Sequence, residues 1–352
     1  MKNIIKSLMV LLSSVSLFST AFAGEMTVTG TAKATYHIAS GAAAEPGIGI
    51  NNHLDFTASG ETDLGAWTYQ IQMEPSTAGA QTLADSKLTL TTSFGTLGVF
   101  VSEGSLDLED AGSRSVYARP TDTGFAEGQV DNPGVSAYNN VQYHSPAGLL
   151  PFGIVGKIAY APNADVTIND IGALGAQTAK AAGTVYGLTS YQITAAPIAG
   201  LALGASYSEA NSQGVAGTKD QAKLEYGDVY VKYDIGSVGL GYSQSRYQPA
   251  ATTAAAQATA GVEYYKADNY SIAFNANENL SLSYEVEKSK RYTAETAGAA
   301  QAVDKEITSK GIQAAYTVGG MTLALGHQTH DNVGYTTGYD VDTTILAVTM
   351  AF

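Results

Sequence analysis

Residues 279–287 read NLSLSYEVE, and their alternation decides the fold. Leu280, Leu282, Tyr284 and Val286 share one parity; Ser281, Ser283, Glu285 and Glu287 share the other. Successive side chains of an extended strand point to opposite faces, so this stretch has one oily face and one polar face. It belongs at a boundary between hydrocarbon or core and water.

The same period recurs in both directions from it. TVTGTAKATYH puts Thr27, Thr29, Thr31, Lys33, Thr35 and His37 opposite Val28, Gly30, Ala32, Ala34 and Tyr36. AWTYQIQME sets Trp67, Tyr69, Ile71 and Met73 against Thr68, Gln70, Gln72 and Glu74. The last ten residues, TTILAVTMAF, alternate to a terminal Phe352, with Leu346, Val348 and Met350 on its parity. Sixteen such segments are predicted, at 26–38, 51–61, 66–75, 85–93, 96–103, 137–145, 153–161, 183–195, 200–210, 221–234, 237–247, 259–275, 278–292, 306–318, 320–331 and 341–352. Alternation is poor around 183–195 and 259–275, where Lys266 and Asp268 fall on the apolar parity, so a bulge or a strand end above the membrane is expected there.

The connections are as informative as the strands. Those after even segments are short (ETDLGA, FGT, SPAGLLP, APIAG, DIGS, NEN, VGG). Those after odd segments are longer, at 39–50, 103–136, 162–182, 248–258 and 293–305. Tight turns therefore gather at one end and long loops at the other, and each strand pairs with its sequence neighbour. An even count returns the last strand beside the first, as in an up-and-down barrel.

The first 23 residues have the marks of a secretory signal: Lys2 and Lys6, an apolar run from Leu8 to Phe18, and Ala21-Phe22-Ala23 before the expected cleavage point. Residues 24–352 are then a single barrel domain. Without Lys2 and Lys6, sixteen basic residues face 32 acidic ones, a net charge of −16. That balance excludes a nucleic-acid partner. With no cysteine, an exported chain has no disulfide framework. Mean hydropathy is near zero, with 22 Tyr, 38 Gly and only 14% charged residues, a composition that suits one face in lipid and one in water.

With the apolar faces outward, the sheet must close, because hydrocarbon offers no partner to an edge strand. At sixteen strands the interior is an aqueous channel rather than a filled core. A soluble sandwich also shows period two, but its core would be dominated by Val, Ile and Leu, whereas here the apolar face mixes in Tyr, Ala and Gly.

The AFA-type signal, VTGTAKATYH, the hairpin LDFTASGETDLGAWTYQIQ, the turns FGTLGVF and IGSVGLGYS, and the terminal Phe together resemble the Gram-negative general porins, closest in style to α-proteobacterial ones. The likeness covers the whole mature chain, although the PEFGG-like turn of enteric third loops is missing. It implies an all-β, transmembrane, sixteen-stranded antiparallel barrel with a long third loop folded into the lumen. It also implies a homotrimer in the outer membrane, in contact with lipid and lipopolysaccharide. Phe352 and its strand resemble the signal read by the barrel-assembly machinery.

The third long connection, 103–136, is also the longest, and loops of that length without strand pattern are usually functional. It holds Glu103, Asp107, Glu109, Asp110, Asp122, Glu127 and Asp131 against Arg114 and Arg119. Lumen parity adds Lys33, Lys87 and Lys157 on the wall. Fixed charge of one sign in a narrow low-dielectric passage concentrates counterions, so passive diffusion of small hydrophilic solutes with weak cation preference is expected. The rival readings are a solute-specific uptake channel, an outer-membrane barrel enzyme and a surface receptor.

Enzymatic chemistry has little support: there is no nucleophile elbow, P-loop or GxGxxG in strand–helix context. His327 and His330, three apart on a strand, fall on opposite faces. No cofactor is expected, although Asp331, Asp340 and Asp342 could touch Ca²⁺ without EF-hand spacing.

Overall fold

The computed structural model describes residues 24–41, 46–75, 81–123, 134–162, 185–212, 223–249, 262–293 and 303–352. The signal segment, Glu127 and Asp131 lie outside the described residues.

Sixteen strands form one closed antiparallel ring. They are β1 (Glu25–Gly41), β2 (Gly47–Thr62), β3 (Gly65–Pro75), β4 (Gln81–Thr92), β5 (Gly95–Val101), β6 (Asn140–His144), β7 (Val155–Ala161) and β8 (Val185–Ala195), followed by β9 (Leu201–Ser212), β10 (Leu224–Ile235), β11 (Val238–Gln248), β12 (Val262–Asn275), β13 (Leu280–Thr293), β14 (Ile307–Val318), β15 (Met321–Asp331) and β16 (Val341–Ala351). Every strand pairs with its sequence neighbours, and β16 closes on β1 with Ala34 opposite Val348. Phe352 continues the seam: its N–H donates to Gly30 O at 3.0 Å, and Gly30 N–H donates to Phe352 O at 2.8 Å.

Two tight turns show how local sequence sets the hairpins. In Thr62-Asp63-Leu64-Gly65 the Thr62 hydroxyl donates to Gly65 O at 2.9 Å and accepts Leu64 N–H at 3.2 Å. Thr92-Ser93-Phe94-Gly95 repeats the arrangement at 3.0 and 3.1 Å. The hydroxyl holds the turn from inside, as Thr does where backbone donors lack ladder partners.

Strand boundaries match the sequence reading to within a few residues, except at the first long connection. β1 and β2 run on to Gly41 and from Gly47, so the expected loop 39–50 is largely sheet. Both expected irregularities are present, as register shifts between Tyr186 and Leu188 in β8 and between Val262 and Tyr264 in β12. A third, between Gln72 and Met73 against β4, has no signal in the alternation.

The burial pattern is inverted relative to a soluble domain. Leu282, Tyr284, Ile312 and Leu325 are exposed on the outer surface, while Ser283, Glu285, Glu287, Gln313 and Gln328 are buried on the inner wall. Side chains with nothing to cover them outside, over a backbone fully paired within the ring, are what a hydrocarbon surround requires. Among the described residues no helix is long and apolar enough to cross a membrane, which says nothing of a β-barrel, since such a protein crosses with its strands.

Candidate channel constriction

The polar inner wall is buried because the third long loop lies on it. Beyond β5 the chain turns inward at Ser102 (φ 53°) and crosses the lumen side of one strand after another. Near its root, the Gln142 amide donates to Gly104 O at 2.5 Å and Lys87 Nζ meets Glu103 at 2.5 Å. Leu106 and Val135 then pack on Ala159, Ala161, Leu188 and Ala210 of β7–β9, an apolar seat inside a lumen expected to be polar throughout.

From there the loop's partners move around the wall, from β8 to β14. Gln192 of β8 donates to Leu106 O at 3.0 Å, and Leu108 N–H donates to Asp228 of β10 at 2.8 Å. Tyr226 OH donates to the Glu109 carboxylate at 2.8 Å, and Ser243 of β11 donates to Glu109 O at 2.7 Å. A 3-10 turn, Asp110–Gly112, follows, and Ser271 of β12 donates to Gly112 O at 3.1 Å. Ser113 and Ser115 both donate to Glu285 of β13, at 2.6 and 2.5 Å. Val116 N–H donates to Ser283 Oγ at 3.1 Å, and Tyr117 N–H to Gln313 Oε1 of β14 at 3.0 Å. The Gln313 amide returns a bond to Ala118 O, and Thr121 N–H donates to Glu287 at 2.9 Å. Loop backbone that water would otherwise satisfy is thus satisfied by wall side chains.

At Gly241 the loop touches the barrel backbone. A Cβ there would sit 2.0 Å from Gly112 O, so only glycine lets the two chains approach. Val116 and Tyr117 rest on the inner-face alanines Ala315, Ala324 and Ala347, near the far end of the described crossing.

The sequence-predicted charges are sorted by this path. Arg119, 7% exposed, is held by Asp110 at 2.5 Å, Asp122 at 3.0 Å and Glu287 at 3.6 Å. It is a buried strut rather than a lumen cation. Arg114 reaches Asp234 of β10 at 2.9 Å and lines a polar recess of about 420 Å³ with Ser113, Ser115, Ser237 and Asn275. Glu109 is buried, and that burial, with Asp107 and Asp110 beside it, pushes its carboxyl up to about 8, so it carries a proton at neutral pH. Asp107 accepts from Ser105 and stays half-exposed, and Asp110 is largely exposed. Of the wall lysines, Lys87 is neutralised by Glu103, Lys33 lies 5.7 Å over the ring of Tyr117, and Lys157 shares the inward parity of Ala159 and Ala161, where the loop is seated.

The anchoring residues Asp228, Glu285, Glu287, Gln192 and Gln313 were not singled out by sequence reasoning. Their signal was present: carboxylates and amides at inward parity in a chain whose inner face is mostly Thr, Ser and Gly. His327 points outward to Thr344 at 3.0 Å and His330 inward to Ser309 at 3.0 Å, on the opposite faces their spacing gives. Asp331 pairs with Lys310 at 3.3 Å, and Asp340 accepts Asn332 N–H at 2.9 Å.

No protein-family model matches the chain, and no curated protein matches its sequence. Solved structures do match. A loop-deletion form of OmpT, an outer membrane protein of Vibrio cholerae, aligns over 94% of this chain and 100% of its own at TM-score 0.66 and 14% identity. The same protein in trimer form gives 0.63 and 12%. OmpF of Salmonella typhi, in complex with daunomycin, aligns over 95% of this chain and 100% of its own at 0.65 and 12% identity. An anion-selective porin from Comamonas acidovorans aligns over 94% and 100% at 0.63 and 11% identity. The chain therefore has the porin fold: a closed sixteen-stranded up-and-down barrel, with its third long loop laid along the inner wall.

Proposed function

We propose that the protein is an outer-membrane porin, a water-filled channel for passive diffusion of small hydrophilic solutes, working as a homotrimer among outer-membrane lipid and lipopolysaccharide. The observation that carries this reading is the stitched third loop. It lies against β7–β14 and leaves Asp55 and Gln70, on the inward parity of β2 and β3, to face the water column. Export through residues 1–23 and delivery by the barrel-assembly machinery through Phe352 belong to the same reading.

The same fold is found in a porin described as anion-selective, so selectivity here must be argued from charges rather than from the fold. Burial removes Glu109 and Arg119 from the field, and pairing offsets Lys87 with Glu103. Asp107 is half-exposed, and the exposed Asp110, which shares the single Arg119 with Asp122, is only partly offset; together they give weak cation preference. Single-channel recording of purified protein in planar bilayers tests both levels. Stepwise, non-saturating conductance is expected, and Asp107→Asn with Asp110→Asn should lower the cation/anion permeability ratio while Glu109→Gln leaves it unchanged. No conductance steps would overturn the channel; an unmoved reversal potential in the Asp107/Asp110 variant would overturn the charge assignment.

A further inference from the structure

On β11–β14 the outward parity is apolar near the tight turns, with Leu240, Ile272, Tyr284 and Ile312, and becomes basic towards the long loops. Arg246 stands directly opposite Lys266, and Lys266 directly opposite Lys290. Lys288 and Lys310 share that face on β13 and β14. Five of the chain's eighteen basic residues therefore stand on one outer strip of a protein whose net charge is −14. On β13 the outward apolar run Leu280, Leu282, Tyr284, Val286 gives way to Lys288 at the very next outward position, so the strip begins where the oily band ends.

Like charges directly opposite one another destabilise a sheet, and the protein offsets them only in part. Asp268 meets Lys266 at 3.4 Å but also accepts from Tyr242 OH at 3.1 Å and from Gln244 at 2.6 Å. Glu306 is shared between Lys288 at 3.2 Å and Lys290 at 3.0 Å, and Asp331 serves Lys310. Among the described residues Arg246 has no carboxylate in ion-pair contact; its guanidinium lies 3.9 Å over the ring of Tyr264, which stacks on Tyr292 at 4.3 Å. With Glu225, which lines a recess beside Arg246, four carboxylates stand against the five bases and leave a small excess of positive charge. The lysine side chains are about 40% exposed to the medium around the barrel.

We propose that this strip binds the anionic phosphate headgroup of a lipid, one with no balancing cation, in the leaflet that surrounds the long-loop end. Arg246 supplies a planar fork that matches phosphate oxygens, and Lys266 and Lys290 supply adjacent point charges. Tyr264 and Tyr292 give an amphipathic surface at the interfacial level, where such rings settle. The inference rests on the barrel's residence in a membrane and not on conductance.

The test compares the wild-type protein with the triple variant Arg246→Gln, Lys266→Gln, Lys290→Gln, all outward and away from the lumen. Both are reconstituted in phosphatidylcholine vesicles containing a minor fraction of phosphatidic acid, extracted in mild detergent and weighed by native mass spectrometry. The wild type should retain phosphatidic acid over phosphatidylcholine by about tenfold, and the variant should lose that preference. Lys266→Arg with Lys290→Arg should keep it, which guards against loss through misfolding. Equal retention of the two lipids by the wild type, or unchanged preference in the triple variant, would overturn the assignment. Displacement of the lipid by millimolar inorganic phosphate would assign the strip to free phosphate instead and would also overturn it. Conductance steps recorded from the same vesicles report separately on the channel. A silent barrel that keeps its lipid preference contradicts the porin reading alone, and a conducting barrel without the preference contradicts only this proposal.

Discussion

Arg119→Met should release the third loop from the wall. Arg119 is 7% exposed and ties together Asp110, Asp122 and Glu287. Asp110 and Asp122 are 65% and 42% exposed, so water screens them and their pairs contribute little. Glu287 is different: at 3% exposure it would be left under the loop as a buried carboxyl without the cation that faces it. Removing one partner of a buried pair costs about 3–5 kcal/mol. At about 1.4 kcal/mol per decade, that is a shift of roughly 150- to 4,000-fold towards the undocked loop. Hydrogen–deuterium exchange of peptides covering 106–122, in detergent or nanodiscs, reads the shift directly. Protection there should fall by two orders of magnitude or more, with strand peptides of β1–β4 unchanged, and open-channel noise should rise. Adding Glu287→Gln should restore most of the protection, since a neutral amide under the loop needs no counter-charge. Unchanged protection in Arg119→Met, or no recovery in the double variant, would refute the reasoning.

The remaining expectations concern the loop's pH dependence, its closest approach and the barrel seam. The Glu109 carboxyl titrates near 4.5 when the loop is free and near 8 when docked, so undocking releases a proton between those values. Docking should therefore be firmest below about pH 4.5, weaken steadily up to about pH 8 and stay level above it; exchange rates across 106–117 check this, and Glu109→Gln should flatten the slope. Gly241→Ala would place a methyl 2.0 Å from Gly112 O, backbone against backbone, and should cost about 1–3 kcal/mol of loop docking by overpacking. Gly156→Ala, with nothing within 4 Å of its added Cβ, should leave exchange and conductance unchanged. Deleting Phe352 removes both hydrogen bonds to Gly30, about 1–3 kcal/mol together, and should lower the folded, heat-shifted fraction on unheated gels.

The alternation in NLSLSYEVE and its fifteen counterparts determined the strand count, the inward and outward faces and the split between tight turns and long loops. Those properties are local: the pleat has period two, and a two-residue turn can only join neighbours. Even the irregularities near 187 and 263 were legible, as breaks in that period. Lys266 and Asp268 were legible as residues on the wrong face, but not as members of a basic strip, because cross-strand register joins them to Arg246 and Lys290. The loop's role was only half visible. Its length and acids marked it, yet its charges could not be sorted from the sequence. Whether Glu109 is a fixed lumen charge or a buried, protonated group depends on the wall that buries it, where Tyr226 and Ser243 lie 117 and 134 positions away, and the fate of Ser113 depends on Glu285, 172 positions away. Burial and proton affinity arise from surroundings assembled across the barrel, and only the closed tertiary structure brings those surroundings together.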